Sequence, residues 1–396
     1  MKPLRLAMIV ERFWPRVGGL ETRAAELACE LADRGVEITV VTARWHAEWP
    51  AEIAYHGLPV VRLAPPPTGR WKAWRWTRSL ARWLRCNGDH FDVALVWGML
   101  GEARAAIEAL TPRVPVVLVP DGNGWQGDCF RQVRAAGARG MQRACRQAAA
   151  LIAASRAARQ ELEAAGYSRE KIHDVPPGVP ALPPRTPVTR TAAREMLADA
   201  SPALQLGARS LLAVSTTRLA AGRGWETLLA AWSIVARQRS SARLWLVGEA
   251  PQAAEVCARI DTLGLSQTAE LVGKFDEVAQ LLSAADLLVS PAPDGGPRPI
   301  LEAMAAGIPA VAADVPVNRW LLGDDAAGVL VPPDDAQALA AAIVELFDDA
   351  AAAERMGNAG WQRVQREFTL TAMADRLCEV LDRTLRPLRV PSAVSH

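Results

Sequence analysis

The feature that most narrows the fold is an alternation that runs through the chain twice. Short β-rich runs are separated by longer Ala/Leu/Arg segments of helical period, the pattern of parallel sheets covered by helices. Strands are expected in the first half at 4–11, 37–43, 58–64, 91–97, 114–119 and 149–154. In the second half they are expected at 210–216, 242–248, 270–273, 285–290 and 308–313. Between the first two, Ala24, Leu27, Ala28 and Leu31 share one helical face, and Gly35 stands where a helix would end. The stretch DVPPGVPALPPRTP (174–187) interrupts the alternation, and proline at that density marks a connector. The expected plan is a first domain over 1–185 with its connector at about 174–190 and a second over 191–370. A helix over 371–389 returns to the first domain, and a disordered tail covers 390–396. A chain of 396 residues suits two cores better than one.

Composition excludes several classes. No run of about 18 uncharged apolar residues is present, so a spanning helix is not expected. The start, MKPLRLAMIVERFWPR, has too short an apolar stretch for a leader and reads as a buried first strand. Six cysteines form no CxxC pair and five histidines are dispersed. Neither a disulfide framework nor a metal centre is indicated, and a reducing, cytoplasmic compartment is expected. Residues 1–200 carry 28 Lys/Arg against 20 Asp/Glu, whereas the remainder carries 17 against 23. The basic half therefore faces something anionic, and no nucleic-acid signature accompanies it.

The strongest local signal is PAPDGGPRPILEAMAAGIPAV (291–311), which reads as a strand end, a Gly/Pro loop and a helix opening near Pro299. Gly295 and Gly296 let the backbone approach a ligand, and the helix start offers N–H groups and a positive dipole end. A diphosphate fits there, and Glu302 can accept hydrogen bonds from a ribose diol. The plain alternative is a βα turn with a capping acid at Asp294 and a solvated glutamate.

Taken with three other stretches, this segment resembles the retaining GT-B glycosyltransferases of family 4. PRVGGLETRAAELACELADRGVEITVVTA (15–43) is similar to that family's N-terminal glycine loop and first helix. STTRLAAGRGWETLLAAW (215–232) is similar to its R-x4-K block, and ADLLVSPAPDGG runs into its E-x7-E region. The resemblance implies two doubly wound Rossmann-like domains facing across a cleft, and a nucleotide-sugar donor with UDP ahead of GDP. It also implies a glycan or lipid-linked acceptor and no metal or other cofactor. Carried over by residue, Glu302 binds the ribose and Asp294 contacts the donor sugar. Arg218 and Arg223 neutralise the diphosphate, Gly18 and Gly19 approach the phosphate and acceptor, and Gly248 lies under the base.

Four positions depart from the family pattern. Arg223 stands where lysine is usual, which keeps the charge and adds a forked donor. Asp294 is one methylene shorter than the usual glutamate. Pro297 removes a backbone N–H, and the adjacent Arg298 is a candidate replacement donor or a solvated loop cation. Asp121, in PDGNGWQGD after the strand 114–119, replaces a histidine, and its place at a strand's carboxyl end suits a hydroxyl-binding role.

Independently of any family, TGRWKAWRWTRSLARWLRC (68–86) interleaves six cations with four tryptophans and contains no acid. That composition suits an anionic membrane surface, and hence a peripheral location on the inner membrane face. The competing reading makes Trp76, Leu80, Trp83 and Leu84 simply the stripe that packs on the sheet. For the whole chain the alternatives to a transferase are a relative that binds without transferring and a nucleotide-sugar epimerase.

Overall fold

The computed structural model describes residues 3–16, 18–122, 127–135, 137–201, 204–207, 209–275, 278–293, 295–323 and 326–389. The chain divides into two compact units, Met1–Pro176 together with Leu370–His396, and Pro177–Thr369. The tail expected at 390–396 lies outside the described residues.

The first unit is built on β1 (Arg5–Ile9), β2 (Glu37–Ala43), β3 (Glu52–Tyr55), β4 (Leu58–Leu63), β5 (Val93–Trp97), β6 (Val116–Val119), β7 (Ala150–Ala153) and β8 (Ile172–Asp174). Their order is β3-β4-β2-β1-β5-β6-β7-β8, and only the β3/β4 hairpin is antiparallel. The sheet buries apolar residues on both faces, because β1 sends Leu6 and Met8 into one layer and Ala7 and Ile9 into the other. The helix Leu370–Arg389 belongs to this unit, where Met373, Ala374, Leu377 and Leu381 pack with the helix Gly19–Asp33. Asp375 on it accepts from Arg34 at 2.9 Å.

The second unit carries β9 (Leu211–Ser215), β10 (Ala242–Val247), β11 (Ala269–Gly273), β12 (Leu287–Ser290), β13 (Ala310–Ala313) and β14 (Gly328–Val331). The order is β11-β10-β9-β12-β13-β14, parallel throughout. In each unit the winding reverses direction once, between β1 and β5 and between β9 and β12. In such sheets ligands bind outside the carboxyl ends of the strands at these reversals.

The boundary between units falls at Pro176/Pro177, inside the proline-rich stretch expected to hold it, and the residues after it pack on the second unit: Val179 N–H donates to Phe368, and Leu182 accepts from the Trp361 indole at 2.9 Å. The connector does not extend to 190, since a helix begins at Pro187 with a capping box between Thr186 and Thr189. Strands β3, β8 and β14 were not anticipated.

Candidate active site

In the second unit the loops after β9, β10, β12 and β13 are drawn together at the carboxyl edge. β9 and β12 pair directly, with Val214 opposite Leu288. Gly224, at φ +75°, lies so close to the next loop that a Cβ would stand 2.7 Å from the Pro291 carbonyl oxygen. Gly295, at φ +60°, is pressed against the β13 loop, where a Cβ would meet Val315, Val317 and Asn318 within 3.1 Å. Its lack of a side chain is thus required by packing as well as by conformation. Gly296 is extended, and a Cβ there would meet nothing closer than 3.7 Å, so its backbone needs no glycine.

These loops carry most of the residues singled out from sequence. Arg218 is half exposed, and its Nε pairs with Glu249 at 3.1 Å. Leu219 N–H donates to the Glu249 carbonyl, which ties the β9 and β10 loops together. Arg223 is half-buried next to Gly224. Gly248 takes φ +124° and donates to the Gly273 carbonyl at 2.7 Å, a conformation that only glycine adopts readily. Asp294 lies outside the described residues.

The helix opens at Pro297, two residues earlier than expected, so Arg298 is not a loop cation. Its Nε donates to Glu302 Oε1 at 2.6 Å in a largely buried i,i+4 pair. Glu302, expected to accept hydrogen bonds from a ribose diol, is thereby oriented from within its own helix. Pro297 and Pro299 take the first and third helical positions, so only Arg298 among the first three residues has a backbone N–H. The helix start is a poorer anion cradle than its glycines suggested.

Sequence reasoning missed a set of hydroxyls here. The side-chain oxygens of Ser215, Thr216, Thr217 and Ser290, and Asn318 Oδ1, are buried without a hydrogen-bond partner among the described residues. Ser215 and Ser290 terminate the two central strands, and Asn318 Nδ2 is spent on the Ala313 carbonyl at 2.8 Å. Buried polar groups left unpaired cost about 1–3 kcal/mol each and are uncommon. Hydroxyl residues directly following two inner strands were the available signal.

The carboxyl edge of the first unit is chemically different. Gly18 caps the helix Gly19–Asp33 in extended backbone, where a Cβ would stand 2.5 Å from Glu21 Oε2. Asp121 follows β6 with a half-exposed carboxylate 4.0 Å from Arg23 Nη2, and the Arg23 guanidinium lies 4.9 Å from the Trp97 ring centre. Asp128 Oδ2 accepts the N–H groups of both Met99 and Asp121 at 2.9 Å, joining the loops after β5 and β6. Gln132, one helical turn on, donates to the Met99 carbonyl at 2.8 Å and accepts from Tyr167 at 2.6 Å. Glu102 Oε1 accepts Leu100 N–H at 3.0 Å.

Burial raises the Glu102 carboxyl to about 8, with the nearby Asp128 charge adding to it. Burial also raises Asp128 to about 6, against the lowering effect of its two N–H donors. Neither acid was singled out from sequence, since an acid in a helix's first turn ordinarily reads as a solvated dipole partner. Among the described residues no group of three or more His, Cys, Asp or Glu is placed to hold a metal ion.

Comparison with known proteins now decides the family. Residues 17–181 match the sequence profile described as Glycosyltransferase Family 4, and residues 209–349 match Glycosyl transferases group 1, which together exceed half of the chain. The chain belongs to these glycosyltransferases. The D-inositol 3-phosphate glycosyltransferase of Kineococcus radiotolerans is 27% identical over 93% of this chain and 91% of its own length. The lipopolysaccharide core biosynthesis glycosyltransferase LpsD of Rhizobium meliloti is 29% identical over 46% of this chain and 52% of its own. Alignments with the first curated relatives cover between 16% and 57% of those proteins' lengths. Among solved structures, Anabaena HepE in complex with UDP and glucose superimposes with a TM-score of 0.76 at 21% identity, covering 96% of this chain and 99% of that one. The fold of this glycosyltransferase is GT-B, in the sense of two Rossmann-like units.

Proposed function

We propose that the protein transfers a sugar, with retention, from a nucleotide-diphosphate sugar to a hydroxyl of a glycan or lipid-linked acceptor in cell-envelope polysaccharide synthesis. UDP is preferred over GDP as the carrier, no metal ion takes part, and the work is done in the cytoplasm at the inner membrane face. The observation that carries the reading is the β9/β12 edge, where Arg218 and Arg223 stand on the loop that follows a group of unpartnered buried hydroxyls. The HepE structures with UDP and UDP-glucose support the donor class, and six free cysteines without a disulfide support the compartment.

In this reading Arg218 releases Glu249 to meet the diphosphate, and Arg223 supplies a second cation. Together they stabilise the charge that develops on the leaving phosphate, the service a metal gives elsewhere. Glu302, oriented by Arg298, accepts the ribose hydroxyls, and the Gly248 backbone lies under the base. Asp294 holds the donor sugar's hydroxyls. The bond from the anomeric carbon to the phosphate oxygen breaks as the acceptor oxygen bonds the same face, and the acceptor's proton passes to the leaving phosphate. Gly18 and Gly19 border the phosphate and acceptor, and Asp121 orients an acceptor hydroxyl.

One observation favours the rival in which the protein binds a nucleotide sugar without transferring it: the two prolines and the Arg298–Glu302 pair leave the helix start with few donors. A thermal-shift screen of UDP-, GDP- and ADP-sugars, followed by product analysis with an added saccharide acceptor, separates the two. Transfer with an unchanged anomeric configuration is the expected result. Stabilisation without product means a binding protein, inversion removes the mechanism, and no stabilisation by any sugar nucleotide removes the reading.

A further inference from the structure

We infer that the exposed face of the helix Arg70–Asn87 is a docking surface for an anionic lipid bilayer. The sequence left two readings of this segment, and the structure separates their residues. Trp76, Leu80, Ala81 and Leu84 are buried in the first unit's core, and half-buried Trp83 packs beside Phe91 with ring centres 6.0 Å apart. The core therefore accounts for one side of the helix only.

The opposite side is what the core leaves unexplained. Trp71, Trp74, Arg75, Arg78, Arg82 and Arg85 are all exposed, at offsets of 0, 3, 4, 7, 11 and 14 residues. At about 100° per residue these positions fall within an arc of roughly 100°. The helix contains no acidic residue, and among the described residues none of its six cations pairs with a carboxylate. On the helix that packs against it, Gly101–Leu110, Arg104 already pairs with Glu108 on the same helix, at 2.7 Å. Nearby Asp89 pairs with Arg113 at 3.4 Å. The guanidinium stripe therefore has no local counter-charge.

The tryptophans decide what kind of polyanion fits. Trp71 is 68% exposed and Trp74 47%, and their rings stack with centres 5.0 Å apart and planes 25° from parallel. The Arg78 guanidinium sits 4.8 Å from the Trp74 ring centre. A soluble polyanion rewards the cations but gives no reason to hold two large rings out in water. A lipid interface rewards both, because indoles partition to the headgroup level while guanidiniums meet the phosphates. The helix spans about 27 Å at about 1.5 Å per residue, so it lies along the surface as a strip. Among the described residues no helix is long and apolar enough to cross a membrane, so the contact is peripheral. The inference does not rest on the transfer reaction, and the binding measurement that tests it needs no donor.

The test is co-sedimentation of the full chain with vesicles of phosphatidylcholine alone, and of phosphatidylcholine with about one third phosphatidylglycerol. The wild type is expected to pellet with the anionic vesicles and to be released by salt, and to stay in the supernatant when the vesicles are neutral. Each cation at an anionic surface raises affinity by about fivefold, so R78Q/R82Q should weaken binding by about 25-fold. W71S/W74S should weaken it by at least tenfold without changing the melting temperature, since both rings are exposed. Absence of wild-type binding, or equal binding to neutral vesicles, overturns the inference. So does binding that W71S/W74S retains in full, particularly with equal affinity for a soluble sulfated polysaccharide, which would assign the stripe to a soluble polyanion. Transfer to a short soluble acceptor is read in parallel, so that loss of membrane binding and loss of catalysis are told apart.

Discussion

The two units share a doubly wound parallel architecture, yet their carboxyl edges are opposites. The edge of Pro177–Thr369 presents arginines on its loops and, among the described residues, keeps buried hydroxyls without partners. The edge of the first unit buries two carboxyls and satisfies them with its own backbone. Asp128 takes the N–H groups of two loops, and Gln132 uses both ends of its amide. The same topology thus yields one edge whose buried hydroxyls are unpaired among the described residues and one whose buried carboxyls are spent on its own backbone, leaving the Trp97 indole N–H and the half-exposed Asp121 carboxylate to meet a ligand. The lesson is that a strand-order reversal supplies only the place for a ligand; the polar inventory around it decides whether anything is left to bind with.

That contrast can be broken from either side. The largest effect is expected from R218A/R223A, which should lower transfer by about 10²–10³-fold while the fold stays intact, because Arg218 is half exposed. Steady-state kinetics beside a thermal melt checks this, and equal losses in both would make the arginines structural. Next, E302A should weaken nucleotide affinity by about 10–100-fold, the worth of hydrogen bonds to a charged group. R298A should cost less, since it removes only the residue that orients Glu302.

On the other edge, D128A should destabilise the protein by about 2–4 kcal/mol by stranding the Met99 and Asp121 N–H groups, yet leave nucleotide affinity as it was. Denaturant titration with calorimetry on the same sample tests both halves of that statement.

The first unit's stability also carries a pH signature. Glu102 holds its proton more tightly when folded than unfolded, so its contribution is complete below about 4.5 and is lost as pH rises through about 8. E102Q keeps an oxygen for Leu100 N–H and cannot ionise. Its melting temperature should match the wild type near pH 4 and exceed it near pH 9. A difference of opposite sign would mean that Glu102 is charged in the fold at neutral pH. The smallest effect is expected from chelation: EDTA should leave transfer unchanged, and a metal-dependent rate would oblige the phosphate to be held differently.

Much of this was legible in the sequence. Continuous apolar, β-rich runs marked the inner strands and a 3.6-residue period marked their helices, because buried parallel strands must be apolar on both faces. The two edge strands of the first unit were not legible: β3 reads Glu-Ile-Ala-Tyr with alternate residues exposed, and β8 reads Ile-His-Asp, neither of which forms an apolar run. Around the β9/β12 edge, the arginines, Gly248 and Glu302 were singled out by pattern. The Arg298–Glu302 pair was not, because an i,i+4 partnership depends on where the helix begins, and Pro297 rather than Pro299 set that. Glu102 and Asp128 were invisible for a different reason: burial, which gives them their properties, is a tertiary fact.

The central claim is that the β9/β12 edge of the second unit binds a nucleoside diphosphate through Arg218 and Arg223. Isothermal titration of the full chain and of R218A/R223A with UDP addresses it most directly. The account predicts saturable one-to-one binding by the wild type and a loss of at least tenfold in the variant. Equal affinity in both proteins, or no heat of binding with any nucleoside diphosphate, would contradict it.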